Sequence, residues 1–257
     1  MKAKKSFGQH FLVEEDIAAR LASAIRTDGC ATVVEIGPGK GILTRFLIQQ
    51  PLPVVAVELD RDLIPFLKKA FKDTTLEIVQ GDILHVRLEE LVAPNEDFVI
   101  VGNFPYNISS QIIFLGLQHR HRVPFMAGMF QYEVANRICA GPGSKTYGVI
   151  SVLVQAYYRA ELLFKVGPES FAPPPKVQSA VISLTRYQKE IEDVPYNVLR
   201  QIVKVAFHQR RKKLRNTLTS IMPETLLEEM GVEALRPEQL SVDQFVMIAK
   251  RFQEVNS

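Results

Sequence analysis

The sequence predicts an α/β protein in which the first part of the chain forms a mainly parallel sheet and a small C-terminal region is all helical. Three patterns predict this: apolar runs alternate with helical segments over residues 30–130, β-rich runs follow without helices between them, and helical spacing continues from residue 188 to the end. Alternating strands and helices form right-handed βαβ units. We therefore expect one domain over residues 1–187 and a second over residues 188–257.

Five short apolar runs are predicted to be buried strands. They are Thr32–Ile36, Val54–Val57, Leu76–Val79, Phe98–Val101 and Phe125–Phe130. The helices predicted between them are Ile42–Gln50, Asp62–Lys72 and Ile108–Leu117. A parallel sheet of this kind binds ligands at the carboxyl ends of its strands, near the point where strand order reverses.

The pattern changes after residue 146. Three β-rich runs, with no helix between them, predict an antiparallel edge on the same sheet: Tyr147–Tyr158, Glu161–Val166 and Val177–Tyr187. Beyond residue 188 the apolar residues return to helical spacing, as in the stripe formed by Leu214, Leu218 and Ile221. Ser241 and Gln244 have the spacing of a capping box before the last helix.

Composition excludes several classes of protein. With 47% hydrophobic and 23% charged residues, the chain is neither collagen-like nor broadly disordered. Its apolar runs are far shorter than the roughly 18 residues that a membrane helix needs, and no secretory signal follows the basic start. Cys30 and Cys139 have no disulfide or metal-ligand spacing, so we expect no metal. These features predict a soluble cytoplasmic protein, which we expect to be a monomer.

The formal net charge of +3 conceals two basic segments. Residues 1–5 contain three lysines and no acid, and residues 204–215 contain six basic residues and no acid, which leaves −6 on the other 240 residues. Such a concentration of charge is typical of a surface that contacts a polyanion. A solvated helix face together with a frayed terminus would give the same pattern, and this alternative stays open.

A glycine turn, Gly37–Gly41, follows the first predicted strand. Glycines there let the backbone approach a ligand closely and leave N–H groups free at a helix start. Glu58 ends the next strand, where an acid can accept hydrogen bonds from ribose hydroxyls, and Asp82 follows the third strand. Each acid alone is more often a turn or cap residue. The G-x-G-x-G spacing differs from the dinucleotide fingerprint, which argues against nicotinamide and favours another adenosine-bearing ligand.

The segment Asn103–Tyr106, with the sequence Asn-Phe-Pro-Tyr, directly follows the fourth predicted strand. It resembles the motif of S-adenosylmethionine-dependent methyltransferases that act on exocyclic amines of nucleobases. Adenine N6 is a poor nucleophile because its lone pair is delocalised into the ring. The Asn103 side-chain oxygen and the Pro105 carbonyl could accept both of its N–H bonds, while Tyr106 stacks on an extruded base. A structural turn is the alternative, since Asn and Pro are turn residues.

The resemblance extends over most of the chain. The matching segments are Lys5–Leu12, Glu35–Thr44, Val57–Asp60, Gly81–Ile83, Asn103–Ser109, Gly143–Gly148, Phe171–Ser179 and Phe207–Asn216. Together they resemble the RsmA/KsgA family of ribosomal RNA adenine dimethyltransferases. The resemblance implies a Rossmann-like methyltransferase domain followed by a small helical RNA-binding domain. It also implies dimethylation of N6 of two adjacent adenosines in the 3′-terminal hairpin of small-subunit (16S) ribosomal RNA, and a role in small-subunit biogenesis.

Residue roles are implied by the same resemblance. S-adenosyl-L-methionine would be bound by Gln9, His10, Leu12, Gly37, Gly39, Gly41, Glu58, Asp82, Ile83 and Asn103. The target base would be held for catalysis by Asn103, Pro105, Tyr106 and Phe171. Ribosomal RNA of the small subunit, the expected partner, would be contacted by Lys4, Lys5, Arg210, Arg211, Lys212, Lys213 and Arg215.

Two residues depart from the family pattern. Phe104 replaces the usual Leu or Ile, which the site tolerates if only its backbone is used, and Tyr132 replaces the usual Lys or Arg, which puts an RNA contact there in doubt.

Three other functions remain as alternatives. A large-subunit adenine methyltransferase of the antibiotic-resistance type shares the cofactor site and the Asn-Phe-Pro-Tyr motif, but the Phe171–Ser179 and Arg210–Asn216 segments favour the small-subunit branch. A non-catalytic rRNA-binding assembly factor would not need the intact Glu58, Asp82 and Asn103. An oxidoreductase comes third and would require nicotinamide binding.

Overall fold

The computed structural model describes residue 4, residues 7–188, residue 191 and residues 193–256. The chain divides into two compact units. The first is Met1–Ala135 with Glu161–Arg186, and the second is Asn136–Ala160 with Tyr187–Ser257. The sequence predicts that residues 1–187 form one domain. In the structure, residues 136–160 instead belong to the same unit as the C-terminal helices.

Nine strands are found in the described residues. They are β1 (Phe11–Leu12), β2 (Cys30–Ile36), β3 (Val54–Glu58), β4 (Glu77–Gln80), β5 (Asp97–Asn103), β6 (Phe125–Gln131), β7 (Tyr158–Val166), β8 (Phe171–Ala172) and β9 (Ser179–Arg186). All five strands predicted between residues 30 and 130 are present, each within a few residues of its predicted bounds. Their apolar runs form a buried core in which Val33, Val99 and Ala127 are almost inaccessible to solvent.

Ten α-helices connect or follow these strands in the described part of the chain. They are α1 (Glu15–Ser23), α2 (Thr44–Leu47), α3 (Ile64–Ala70), α4 (Leu88–Leu91), α5 (Ser109–Gln118), α6 (Tyr132–Ile138), α7 (Val149–Gln155), α8 (Tyr196–His208), α9 (Glu224–Glu229) and α10 (Val242–Asn256). None of the helices in the described ranges is both long enough and apolar enough to cross a membrane.

Seven strands form one sheet in the order β4-β3-β2-β5-β6-β9-β7. The first five of these strands are parallel to their neighbours, and β9 pairs antiparallel with β6, as the sequence predicts for this edge. The chain leaves β2 in one direction towards β3 and β4 and then returns to β5 on the other side. The switch in strand order therefore lies between β2 and β5, where a ligand site is expected.

A second, two-stranded sheet lies close to this switch point in the chain fold. β1 pairs antiparallel with β8, with Phe11 opposite Ala172 and Leu12 opposite Phe171. The segment just before β1, Phe7–His10, is thereby joined to the segment that leads into β9.

The run Tyr147–Tyr158, predicted to be a strand, is largely helical, and that prediction is wrong. Continuous apolar runs fit a buried helix as well as a buried strand, so periodicity could not separate them. The helix α7 begins where the Gly148 N–H donates to the Ser151 hydroxyl (3.0 Å). The Tyr147 ring meets the Phe207 ring edge-on at 6.1 Å between centroids, within the second unit.

In the rest of the second unit the predicted capping box is present, but the predicted helical stripe is not an α-helix. Ser241 and Gln244 form the predicted capping box, with hydrogen bonds of 2.9 and 3.2 Å between each backbone N–H and the other side chain. The stripe from Leu214 to Ile221, however, forms two short 3₁₀ turns, Leu214–Asn216 and Leu218–Ser220, and not an α-helix. Arg210–Lys213 precede the first of these 3₁₀ turns and Arg215 lies within it; we call the segment Arg210–Arg215 the basic turn.

Candidate active site

A cavity of about 350 Å³ opens at the carboxyl ends of β2 and β5, within the first unit. Its walls come from five segments, each at the end of a strand or in the chain that precedes β2. They are the N-terminal strap (Phe7–Leu12), Glu35–Lys40 with Ile42 and Leu43, Val57–Leu59, Gly81–Ile83 and Asn103–Ile108. The volume lies in the usual range for small-molecule and cofactor sites. The strand ends singled out in the sequence thus meet at one place.

The glycine turn after β2 brings bare backbone to this cavity. Gly37 and Gly39 have φ angles of +70° and +58°, in the left-handed region that favours glycine. A Cβ atom on Gly39 would lie 3.1 Å from the Phe11 ring of the strap, so a side chain there would crowd the cavity wall. Both glycines therefore have the position and the backbone conformation that the motif predicts.

Glu58, at the end of β3, lies buried on the cavity wall. One carboxylate oxygen accepts a hydrogen bond from the Gly39 N–H (3.1 Å), and the other accepts one from the Asp60 N–H (2.8 Å). Burial raises the pKa of Glu58, although these backbone hydrogen bonds oppose that rise. Because a carboxylate has about four acceptor positions, Glu58 can still accept hydrogen bonds from a ribose diol.

Glu35 is a cavity residue that the motif analysis did not assign. It lies in the buried strand β2, is 1% exposed, and accepts a hydrogen bond from the Thr44 hydroxyl at 2.7 Å. Burial, with a smaller contribution from the nearby Glu58, raises its pKa to about 8 against the opposing hydrogen bond from Thr44. The signal that could have found it is a lone acid inside an otherwise apolar strand, since buried acids are rare without a partner.

Asp82 and Ile83 line the cavity beyond β4. The Asp82 carboxylate accepts the Leu84 N–H (3.0 Å) and lies 3.0 Å from the His85 ring nitrogen Nδ1, so it also shapes its own turn. Ile83 is 4% exposed and gives this end of the cavity an apolar wall. A carboxylate beside an apolar surface suits the amine edge and the face of an adenine ring.

Asn103 ends β5 at the switch point. Its side-chain nitrogen Nδ2 donates a hydrogen bond to the His10 carbonyl of the strap at 3.0 Å. A carbonyl can only accept, so the amide nitrogen must face His10 and the acceptor Oδ1 must face away from it. The Pro105 carbonyl, two residues on, accepts the Ile108 N–H at 3.1 Å and keeps a second lone pair.

Tyr106 directly follows Pro105 in the chain and also lines the cavity. Its hydroxyl lies 2.5 Å from the Ser179 hydroxyl at the start of β9, and its ring stacks on the His10 ring with centroids 5.4 Å apart. Burial raises the pKa of Tyr106, against the opposing effect of Ser179. The His10 ring is held in turn by a 2.8 Å contact between Nδ1 and the Pro173 carbonyl. The tyrosine is thus fixed from two sides.

Two residues assigned to the site by resemblance lie elsewhere. Gly41 does not line the cavity, and a Cβ on it would lie 2.5 Å from the Phe71 ring, so the absence of a side chain there allows the close packing of Phe71. Phe171 is 3% exposed in the apolar core, where β8 pairs with β1, and it also does not line the cavity. The role of Phe171 as a wall of the base pocket is not supported by this arrangement.

The residues predicted to contact RNA divide into three groups. The Lys4 ammonium is bonded to Asp60 and Asp62, at 2.5 and 2.6 Å, and Lys5 lies outside the described residues. Arg210 is partly buried and donates to the Ser144 carbonyl at 3.0 Å. The exposed group is Arg211, Lys212, Lys213 and Arg215.

Tyr132, at the position where a basic residue was expected, follows β6. The Lys165 ammonium lies 4.4 Å from the centre of its ring, a cation–π contact. A positive charge is therefore present beside Tyr132, although it comes from β7.

Comparison with known proteins agrees with this geometry. The family model described as ribosomal RNA adenine dimethylase matches residues 1–254 of the chain. The chain belongs to the ribosomal RNA adenine dimethylase family. The resemblance found in the sequence is thereby confirmed. With it are confirmed the enzyme class, an rRNA adenine dimethyltransferase, and S-adenosyl-L-methionine as its methyl donor.

Relatives in this family cover the chain almost from end to end. The ribosomal RNA small subunit methyltransferase A of Flavobacterium johnsoniae is 43% identical over 253 residues, which are 98% of this chain and 97% of the relative. The protein of the same name from Phocaeicola vulgatus is 44% identical over 252 residues, covering 98% of this chain and 90% of that one.

Two solved structures have the same fold. A dimethyladenosine transferase from Plasmodium falciparum superposes with a TM-score of 0.83 at 25% identity, over 96% of this chain and 98% of that one. The 23S rRNA methyltransferase ErmE superposes with a TM-score of 0.75 at 25% identity, over 95% and 99%. The predicted fold class, a Rossmann-like methyltransferase domain with a helical C-terminal part, is confirmed.

Proposed function

We propose that this protein transfers methyl groups to N6 of two adjacent adenosines in the 3′-terminal hairpin of small-subunit rRNA and so takes part in small-subunit biogenesis. The observation that carries the proposal is the orientation of Asn103. Its amide oxygen faces away from the His10 carbonyl, and Asn103, Pro105 and Tyr106 all line the cofactor cavity. Relatives named for the small subunit, matching nearly the whole chain, support this substrate.

The cavity fits S-adenosylmethionine on the chemistry of its walls. Glu58 would accept hydrogen bonds from the ribose, Asp82 and Ile83 would hold the adenine, and the backbone of Gly37 and Gly39 would lie against the amino-acid end. The cofactor supplies a methyl group already activated on a sulfonium. The protein's own task is therefore to place the target amine in line with that group.

Two acceptors would hold the amine. Asn103 Oδ1 and the Pro105 carbonyl can each accept one N–H bond of adenine N6, which localises its lone pair on nitrogen. With each transfer the nitrogen would gain the methyl carbon as its bond to sulfur breaks, which would leave a neutral thioether, and the nitrogen would release one proton to solvent. After two transfers no N–H remains for either acceptor, so the product can no longer be held as the substrate was.

Tyr106 would stack on the extruded adenine. Its ring is already oriented by the His10 ring and by the Ser179 hydroxyl, so little rotational freedom is lost when the base arrives. Stacking on an aromatic ring is worth about 1–3 kcal/mol per base. We assign Tyr106 to base binding and Asn103 and Pro105 to the reacting nitrogen.

The basic turn would contact RNA phosphates. Arg211, Lys212 and Lys213 are exposed, and none of them has an acidic partner among the residues that the structure describes. Arg210 instead holds the Ser144 carbonyl, which positions the turn. Exposed, unpaired cations suit a phosphate backbone, whose binding is driven by counterion release.

We further propose that the protein acts as a monomer in the cytoplasm. A single chain provides every residue of the cavity wall, which supports the first point. The second follows from the proposed substrate, because bacterial ribosomal subunits are assembled in the cytoplasm.

Methylation of large-subunit rRNA is a second candidate, because the ErmE structure superposes over 95% of this chain. The two candidates are distinguished by methyl transfer from labelled S-adenosylmethionine to unmethylated small and large subunits. We expect about four methyl groups per small subunit, recovered as dimethyladenosine, and none in the large subunit. Asn103→Ala serves as the inactive control. Label confined to the large subunit would instead favour the second candidate.

A further inference from the structure

We propose that Asp60 is a positioning residue for methyl transfer: through Lys4 and Gln9 it holds the N-terminal strap across the cofactor cavity, and the closed strap orients Asn103. The inference rests on the proposed function for the identity of the RNA substrate. The measurement of cofactor binding that tests it does not depend on that substrate. Asp60 does not line the cavity itself and lies just beyond β3, two residues after Glu58.

Asp60 is 3% exposed, and both of its carboxylate oxygens are used. Oδ1 accepts from the Lys4 ammonium at 2.5 Å and from the Asp62 N–H at 3.1 Å, and Oδ2 accepts from the Gln9 amide at 3.0 Å. Two of these three donors belong to the chain before β1. A buried carboxylate left without such donors would be strongly unfavourable, so these hydrogen bonds favour the closed position of the strap.

Lys4, on the N-terminal side of the strap, is bonded to the strap as well as to Asp60. The Lys4 backbone N–H donates to the Gln9 side-chain oxygen at 2.8 Å, and the Lys4 ammonium reaches the exposed Asp62 at 2.6 Å. Burial alone would raise the pKa of Asp60, but the hydrogen bonds from Lys4 and Gln9 outweigh it and lower that pKa. The hydrogen bond to Asp60 raises the pKa of Lys4. The pair is therefore ionised at neutral pH.

Asp60 also contacts a residue of the cofactor site through its own backbone. Its backbone N–H donates to Glu58 at 2.8 Å, on the oxygen that does not bind Gly39. Asp60 thus connects the strap to the carboxylate that would hold the ribose.

The strap in turn determines the geometry of the target site. The His10 carbonyl accepts from Asn103 Nδ2, and the His10 ring stacks on Tyr106. Gln9 and His10 are adjacent, so release of Gln9 from Asp60 would loosen the group that fixes the Asn103 amide. Replacement of Lys4 or Asp60 should then affect both cofactor affinity and the rate at saturating cofactor.

The test compares Lys4→Met and Asp60→Asn with Arg45→Met, which removes an exposed ion pair to Glu15 in the same unit and away from the cavity. S-adenosylmethionine binding is measured by calorimetry without RNA, so a wrong RNA substrate would not affect this reading. We expect Lys4→Met and Asp60→Asn to raise the Kd about tenfold, since each leaves a buried charge or amide unpaired. Arg45→Met should leave the Kd unchanged.

The second reading is kcat for methyl transfer at saturating S-adenosylmethionine. Lys4→Met should lower kcat about fivefold or more, because the Asn103 amide is less well oriented, while Lys4→Arg restores most of it. Asp60→Asn is the more disruptive change, and Lys4→Met tests the same ion pair should that variant not fold. An unchanged Kd in Lys4→Met would overturn the proposal. A raised Kd with a wild-type kcat would overturn the link to Asn103.

Discussion

Charged groups at the edge of the sheet and those of the basic turn have opposite surroundings. Glu35, Glu58 and Asp60 are nearly inaccessible to solvent, and Lys4 is bonded to Asp60. Arg211 and its basic neighbours are exposed in the second unit. The two basic segments look alike in sequence, yet Lys4 of the first is bonded to a buried carboxylate, whereas Arg211, Lys212, Lys213 and Arg215 of the second are exposed. Buried charges respond to pH and to the removal of a partner, whereas exposed charges respond to salt.

Replacement of Asn103 should have the largest effect. Asn103→Ala removes the side-chain acceptor for the target amine, and we expect kcat to fall about 10²–10³-fold, as when one polar group of a catalytic site is removed. The Kd for S-adenosylmethionine should stay within about threefold, because Glu58, the glycine turn and the bonds from Lys4 and Gln9 to Asp60 that hold the strap are intact. Steady-state transfer and calorimetry on the same preparation give both values; near-normal turnover would exclude this role for Asn103.

Glu35 should make stability depend on pH. Its pKa is about 8 in the folded chain, so between about pH 5 and 8 the unfolded chain has released a proton that the folded chain keeps. The free energy of unfolding should therefore fall as pH rises through this window. Glu35→Gln should remove this fall and be more stable than wild type at pH 8, by about 2 kcal/mol. Urea unfolding at pH 5.5 and pH 8 measures it, and parallel pH dependences in the two proteins would contradict it.

The basic turn should affect RNA binding and its dependence on salt, and not the dependence of stability on pH. Replacing Arg211 and Lys212 by Ala should weaken rRNA binding about tenfold at physiological salt, and each phosphate that is no longer neutralised should flatten the log–log salt dependence by about 0.7–0.9. The Kd for S-adenosylmethionine should not change. Lys4→Met is the matched comparison, since it should leave the salt dependence as it is. If Lys4→Met flattened the salt dependence of rRNA binding equally, Lys4 would contact RNA phosphates as the basic turn does.

Tyr106→Phe should have the smallest effect. It retains the ring that stacks on the base and removes only the hydrogen bond to Ser179, a net contribution of about 1 kcal/mol to stability. We expect kcat to change less than about threefold, whereas Tyr106→Ala should abolish stacking and raise the KM for RNA. If Tyr106→Phe were as impaired as Tyr106→Ala, the hydroxyl and not the ring would be the important group.

The sequence alone was sufficient for the sheet and for most of the cavity. Strand ends of a parallel sheet meet at one edge, so Gly37, Glu58, Asp82 and Asn103 could be placed together without a structure. Tyr147–Tyr158 was mistaken for a strand because an apolar run has no readable period.

The roles of Lys4 and Gly41 differ from those expected from the sequence because each depends on a contact with a residue distant in sequence. Lys4 meets Asp60 across 56 residues, and Gly41 meets Phe71, so neither role is visible in a local motif. Charge clustering shows that like charges are close in sequence, but it does not show whether an acid from another segment neutralises them. The raised pKa of Glu35 likewise reflects how deeply its strand is buried.

The most direct test of the proposed function locates the modified nucleosides. Unmethylated small and large subunits are incubated separately with the enzyme and S-adenosylmethionine, and each rRNA is cleaved and analysed by oligonucleotide mass spectrometry. We predict two adjacent N6,N6-dimethyladenosines in the 3′-terminal hairpin, absent with Asn103→Ala. Dimethyladenosine found only in large-subunit RNA, or rRNA that is bound but never methylated, would contradict the account.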